Sequence, residues 1–320
     1  TVTVQGETET TSSGDTIDVD SGTFNANGFT DINGTLIIGS GMYIAGGTSD
    51  IDGTIQIGTG TYDANGNFDA TNGTIDFTGA GYLRLGGSTI TSLGTLDTSQ
   101  GTVIYDSTGS NQTVVGTTYY RLEFQNTGYT ATASGDISIN DSLTITSGTF
   151  NPSSYTIYMA DTASFNVNGG TLKCDTSGAT ITKTAAGSGG YSFTVNGGTI
   201  DITSLNFSYA NSDGLHYVSG TIANLSNVSF TNGNTTHVRI SGDITKGFSG
   251  CSFDGGGGSP YNITTDAGTT GTITMTDFSG TGAGESNDND QGVAVNWNTT
   301  ITLSGTFDGV TDVSLAINGV

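Results

Sequence analysis

The amino-acid sequence predicts an all-β chain: one elongated, right-handed parallel β-helix, or β-solenoid, with coils of about 19–23 residues. Composition is the first reason. The 320 residues include 52 Gly and two Pro, and only four Glu and three Lys stand among abundant Thr, Ser, Asn and Asp, which favour strands and turns over helix interiors. A hydrophobic share of 33% is thin for a globular core of this length, yet 13 Tyr and 14 Phe are too many for a disordered chain, so the interior should be ordered and narrow. The second reason is self-similarity at a nearly fixed step. The third is alternation of apolar and polar residues inside each repeat.

Residues 33–45 (NGTLIIGSGMYIA), 52–64 (DGTIQIGTGTYDA), 72–85 (NGTIDFTGAGYLRL) and 93–105 (LGTLDTSQGTVIY) align, and their leading glycines, Gly34, Gly53, Gly73 and Gly94, step by 19, 20 and 21. Alternation puts Leu36, Ile55, Ile75 and Leu96 in one inward column and Ile38, Ile57, Phe77 and Thr98 in the next. Thr35, Thr54, Thr74 and Thr95 should then point outward, with Thr54 and Thr74 exposed. A second glycine (Gly41, Gly60, Gly81, Gly101) turns the chain into a strand with Tyr43, Tyr62, Leu83 and Val103 inward, so each unit holds two or three short strands. In the C-terminal half Leu205, Val228 and Cys251 recur at a constant step of 23, as do Phe207, Phe230 and Phe253. No single repeat can bury its apolar edge, but like stacked on like buries a continuous ladder.

Roughly 14 coils at ~4.8 Å predict a rod about 65–70 Å long. A β-sandwich does not repeat side-chain classes column by column at this period, and a propeller needs a blade of about twice the length. One solenoid domain is expected over residues 1–320, with a junction between two sections near residue 110, where the period loosens. The separation of Cys174 from Cys251 amounts to about three coils, or ~14 Å along the axis. That is beyond the ~7 Å reach of a disulfide, so both should be free thiols.

Three segments carry a family resemblance. Residues 112–150 (QTVVGTTYYRLEFQNTGYTATASGDISINDSLTITSGTF) resemble a module of secreted bacterial surface proteins built of parallel β-helix repeats. The LSNVSFTNG coil is similar to the pectate-lyase-like β-helix, and GTGAGESNDNDQGVAVNW (280–297) resembles the acidic turn and Trp near the end of such helices. The resemblance implies a β-helix in an extracellular setting. Adhesins, filament or layer proteins and carbohydrate-active enzymes all share that fold, so it does not choose among them.

Charge narrows the function. With 29 acidic against 6 basic side chains, the net charge of −23 denies the clustered Lys and Arg that nucleic acid or an anionic membrane surface demands. No run approaches the ~18 apolar residues of a membrane span. The opening TVTVQGETET does not look like a signal peptide, as expected of a mature or trimmed product.

Candidate sites are sparse. His216 and His237 are separated by close to one coil and should occupy like places on neighbouring turns. With no Cys, Asp or Glu nearby they are an incomplete metal set, and neither has an evident Ser or Cys nucleophile. Arg84, Arg121 and Arg239 fall far apart, and the corner pairs Asp18/Asp20 and Asp50/Asp52 find no matching Asp on the next coil. A polysaccharide lyase or hydrolase therefore lacks its centre, and no enzyme activity and no required cofactor are expected. The Ca²⁺ candidate is ESNDNDQG, in which Glu285, Asn287, Asp288, Asn289 and Asp290 alternate oxygen-bearing side chains ahead of Gly292. The distal bidentate Glu of a full Ca²⁺ loop is missing, and a plain polar turn is the competing reading. Trp297, the sole Trp, reads as a core plug in preference to a sugar-stacking platform. The single Thr rank beside a charged column argues against ice binding. Ten N-x-[ST] sequons, Asn224 and Asn262 among them, are near chance in so Ser- and Thr-rich a chain.

The expectation is an extracellular or cell-surface structural protein, a filament or layer subunit that stacks head to tail on copies of itself. Residues 1–4 and the alternating Val313, Leu315 and Ile317 read as uncapped end strands. A stalk binding cell-surface glycans is the alternative, and a carbohydrate-active enzyme the third. A structural protein needs no convergent polar cleft, an adhesin needs an aromatic-lined patch, and an enzyme needs carboxylates or Arg clustered on one face.

Overall fold

Between residues 1 and 105 each alternating run lasts only two to four residues before Gly, Asn or Ser turns it, so the chain bends three times per coil. In the computed structural model residues 1–184, 189–254 and 261–298 are described, and they form a β-solenoid of about 13 parallel turns. The first section stacks three sheets. One contains Thr23–Ala26, Met42–Ala45, Thr61–Ala64, Tyr82–Leu85 and Thr102–Tyr105, and it continues as a long sheet through the rest of the solenoid. A second contains Thr8–Thr10, Thr30–Ile32, Ser49–Ile51, Phe68–Asp69 and Ile90–Ser92. The third contains Thr16–Val19, Thr35–Ile38, Thr54–Ile57, Thr74–Phe77 and Thr95–Leu96.

The register reproduces the columns read from the repeats. Leu36 faces Ile55, which faces Ile75; Leu205 faces Val228; Phe207 faces Phe230, and Phe230 faces Phe253. These inward residues are buried, and both cysteines are free and buried. Glycine sets the corners because there is no room for more. A Cβ on Gly53 would run into the carbonyl oxygen of Gly34, one coil below.

Four expectations are corrected. Thr54 and Thr74 are half-buried, not exposed, because each is flanked by the Thr of the coils before and after it at one strand spacing. The third sheet stops at Leu96, leaving Leu96 half-buried and Thr98 outside any strand. Coils also run longer than the repeats imply: Thr171 pairs with Thr199, a step of 28, because the connection between Lys183 and Tyr191 is long while the strands keep their length. Finally, the outward column of the second sheet carries an acid on each of its first four strands, Glu9, Asp31, Asp50 and Asp69 in register, before Ser92 on the fifth, so Asp50 does have matching acids on its neighbours. The strand expected at 313–317 lies outside the described residues.

The interior is filled by trading size between sheets. Tyr43 and Tyr62 stack at 5.3 Å, and across the core stand the small Thr30 and Ser49. One coil on, Ser49 gives way to Phe68 and Tyr62 to Leu83. Each tyrosine hydroxyl is satisfied by that small partner: Tyr62 donates to Ser49 Oγ at 2.8 Å, and Tyr43 Oη lies 3.2 Å from Thr30 Oγ1. Ser49→Ala would strand the Tyr62 hydroxyl in the core and should cost about 1–3 kcal/mol in denaturant unfolding. Adding Tyr62→Phe should restore most of that loss, whereas additive losses would show that the pair is not coupled.

Candidate functional site

At the corner where the long sheet meets the second, the connections between strands lengthen along the axis. Residues 65–67 and 86–89 make tight corners, while 106–111 (DSTGSN) overhang them. Buried Ser107 organises this overhang, its Oγ accepting from the backbone N–H of Ser110 at 3.2 Å. The result is a cleft of ≈600 Å³ with Asp63, Arg84 and Asp106 on its floor and Asn65, Asn67 and Ser88 at its walls.

Register brings the three charged residues together. Asp63 and Arg84 are direct partners on adjacent strands, and Asp106 follows the next strand, with its N–H bonded to the carbonyl of Leu85. Arg84 Nη2 donates to Asp106 Oδ2 at 2.5 Å and to Gln125 Oε1 at 3.4 Å. The other Asp106 oxygen is buried with no hydrogen-bond partner. Burial raises the pKa of Asp63, and the neighbouring Asp106 carboxylate adds to it while Arg84 opposes. Burial likewise raises Asp106 against the pull of Arg84.

A buried amide network holds the walls. Gln112 Nε2 donates to the carbonyls of Leu85 and Gly87, both at 2.6 Å, while its Oε1 accepts from Ser107 N and from the fully buried Asn126. Two residues before Arg84 on the same face of its strand, Tyr82 is 42% exposed, and Arg121 lies 5.0 Å over the Tyr120 ring while pairing with Asp141. Sequence reading named Arg84 and Arg121 but missed Asp63, Asp106 and Gln112. The lengthened DSTGSN corner was the available signal.

A second polar knot lies further along. Arg239 donates to Asp213 at 2.7 Å and to both oxygens of Asp266 at 3.1 and 3.0 Å. Asp266 also accepts from Ser241 Oγ at 2.6 Å, and His216 Nε2 lies 2.7 Å from that hydroxyl. This knot borders a hollow of ≈160 Å³ lined also by Tyr261, Thr264 and Asn289. The expectation for the histidines is corrected here. One full coil carries His216 to its register partner Arg239, not to His237, which lies two positions earlier and is buried, packed against Phe230 and Phe253 with its Nε2 3.1 Å from the Asp254 carbonyl oxygen. Burial lowers the pKa of both histidines. His216 also does have a serine beside it, contributed by the next coil.

The residues read as a Ca²⁺ candidate occupy a 3₁₀ turn, Glu285–Asn287, and a short strand, Asn289–Asp290. Asp288 accepts from Trp297 Nε1 at 2.7 Å, and Asp290 accepts from the N–H of Val295 at 3.3 Å. Asn262 holds the preceding loop, donating to the carbonyls of Gly282 and Gly284; it is buried, so its sequon offers no accessible amide. Among the described residues, the acids whose oxygens come within 4.8 Å of one another as a threesome are Glu7, Glu9 and Asp31. Trp297 is half-buried and meets Phe278 edge-on at 4.7 Å and Phe253 at 5.9 Å, the packing of a core plug.

Comparison with protein-family models, with curated proteins and with solved structures finds no match. Among the described residues no helix is long and apolar enough to cross a membrane.

Burial, with added repulsion from Glu285 and Asp290, raises Asp288 from 3.8 to about 6. The folded state therefore holds this proton more tightly than the unfolded chain, and the stability it contributes is complete below pH 3.8 and lost as pH rises through about 6. The emission of Trp297 should titrate with a midpoint near pH 6 in wild type. In Asp288→Asn that transition should vanish; its survival would assign it to another group.

Proposed function

We propose that this β-solenoid is an extracellular or cell-surface glycan-binding protein that holds carbohydrate in the Asp63–Arg84–Asp106 cleft. The observation that carries this reading is the buried Asp106 oxygen without a donor, at a hollow lined by Asn, Asp and Ser, with an exposed Tyr82 two residues before Arg84 on the same strand. Carboxylates and amides pair with vicinal hydroxyls, and an exposed ring supplies an apolar face for a sugar. The extracellular setting is supported by the resemblance of residues 112–150 and 280–297 to secreted surface β-helix proteins.

Calorimetry with soluble linear glucans, mannans and xylans tests the proposal. Wild type should bind at least one of them without releasing reducing ends. Asp106→Asn should weaken binding about 10-fold or more, through loss of a charge-assisted hydrogen bond, with little change in melting. Wild type that binds none of the polymers, or an Asp106→Asn variant that binds as tightly, would overturn it.

Head-to-tail self-assembly is the second reading. Among the described residues Val2–Val4, Thr8–Thr10 and Thr16–Val19 each pair with a single parallel strand, the kind of ladder that a coil of a second copy can extend. Light scattering at rising concentration should then show growing rods, and a constant monomer mass would sink this reading.

A further inference from the structure

The two polar knots share one column of the long sheet. From Arg84 the register passes outward through Ile104, Glu123, Thr144, Asn166, Thr194 and His216 to Arg239. That is seven coil steps, or about 34 Å at one strand spacing per coil. The neighbouring outward column runs in parallel from Tyr82 through Thr102, Arg121, Ser142 and Ser164 to Ser192. Most positions in the two columns carry a hydroxyl, an amide or a charge. The aliphatic exception, Ile104, is buried, as is Thr102 on the same coil.

Resting on the glycan reading above, we infer that the face between Arg84 and Arg239 is a single track that takes one uncharged linear polysaccharide along the solenoid axis, seated in both clefts at once. The spacing argues for a linear chain. An extended β-linked hexose advances by nearly one coil spacing, so consecutive sugars meet consecutive, chemically similar coils, and about seven units span the track. Charge argues for a neutral chain. Arg84 is paired with Asp106, Arg121 with Asp141, and Arg239 with Asp213 and Asp266, while Asp63 and Glu123 add further negative charge. A face with this excess, on a chain of net charge −23, repels uronates and sulfated sugars.

The track makes affinity depend on ligand length in a way that a single cleft does not. Calorimetry of the full chain with oligomers of the glucan, mannan or xylan that binds tests this. Short oligomers of about three units should bind weakly with two sites per chain. Oligomers of about ten units should bind with one site per chain and at least about 100-fold more tightly, because the second contact is made within the complex. Arg239→Gln should bring the long oligomers down towards the affinity of the short ones. Asn166→Trp, which obstructs the face between the clefts and whose register partners Thr144 and Thr194 belong to neither knot, should do the same, and it guards against a folding defect at Arg239. Equal affinity for short and long oligomers, or long-oligomer binding unmoved by both variants, would overturn the track while leaving the Arg84 cleft a glycan site. Failure of wild type to bind any oligomer would overturn both.

Discussion

Everything in this molecule depends on one constraint: a residue must tolerate its own counterpart one strand spacing away, above and below. In a parallel coil the neighbour across the hydrogen bonds is the same structural position in the next turn. Inward, the constraint is met by aromatic rings that stack face to face, as Phe24, Tyr43 and Tyr62 do at 5.2 and 5.3 Å. At the corners it is met by glycine, since any larger residue at Gly53 or Gly66 would run into the carbonyl of the glycine beneath. Outward it is met by Thr and Ser. Where like charges stack instead, as in the column Glu9, Asp31, Asp50 and Asp69, burial and the surrounding carboxylates raise the pKa of Asp50.

The same constraint explains how much the sequence could disclose. Columns separated by a constant step are visible as text, which is why Ile55 over Leu36 and Phe230 over Phe207 were legible without coordinates. The second sheet was not. Its strands are two or three residues long and point Thr30 and Ser49 inward, and these read as surface residues until their hydroxyl partners, Tyr43 and Tyr62, are seen across the core. The cleft was hidden for another reason. Asp63 and Asp106 converge only because Arg84 stands between their coils and the 106–111 connection folds over them. The histidines failed by arithmetic, since their separation falls two positions short of the coil that joins His216 to Arg239, so the two are not counterparts, and His237 is buried against Phe230 and Phe253.

Clefts open at the places where the stack is relaxed. Corners lie outside the strand ladders, so a connection can lengthen without shifting the register of any column, and the added residues then become a wall. Gln112 shows what such a change needs: one buried amide that binds the Leu85 and Gly87 carbonyls on one side and the Ser107 N–H on the other, so that the overhang is fixed to the coil below it. The knot at Arg239 is built likewise, drawing Asp213, Ser241 and Asp266 from successive turns around a single guanidinium.

The step of 28 between Thr171 and Thr199 bears on how such a molecule changes over generations. Compared with the shorter coil from Leu205 to Val228, the added length was absorbed without breaking the pairing of Thr171 with Thr199 or of Phe165 with Phe193. Insertions and deletions are therefore local events here, while duplication of a whole turn extends the rod by one rung and leaves both neighbours with the contacts they already make. A lineage of such chains can alter its length and its corner loops independently. The length of the outer sheet face and the chemistry of its clefts become separately heritable traits.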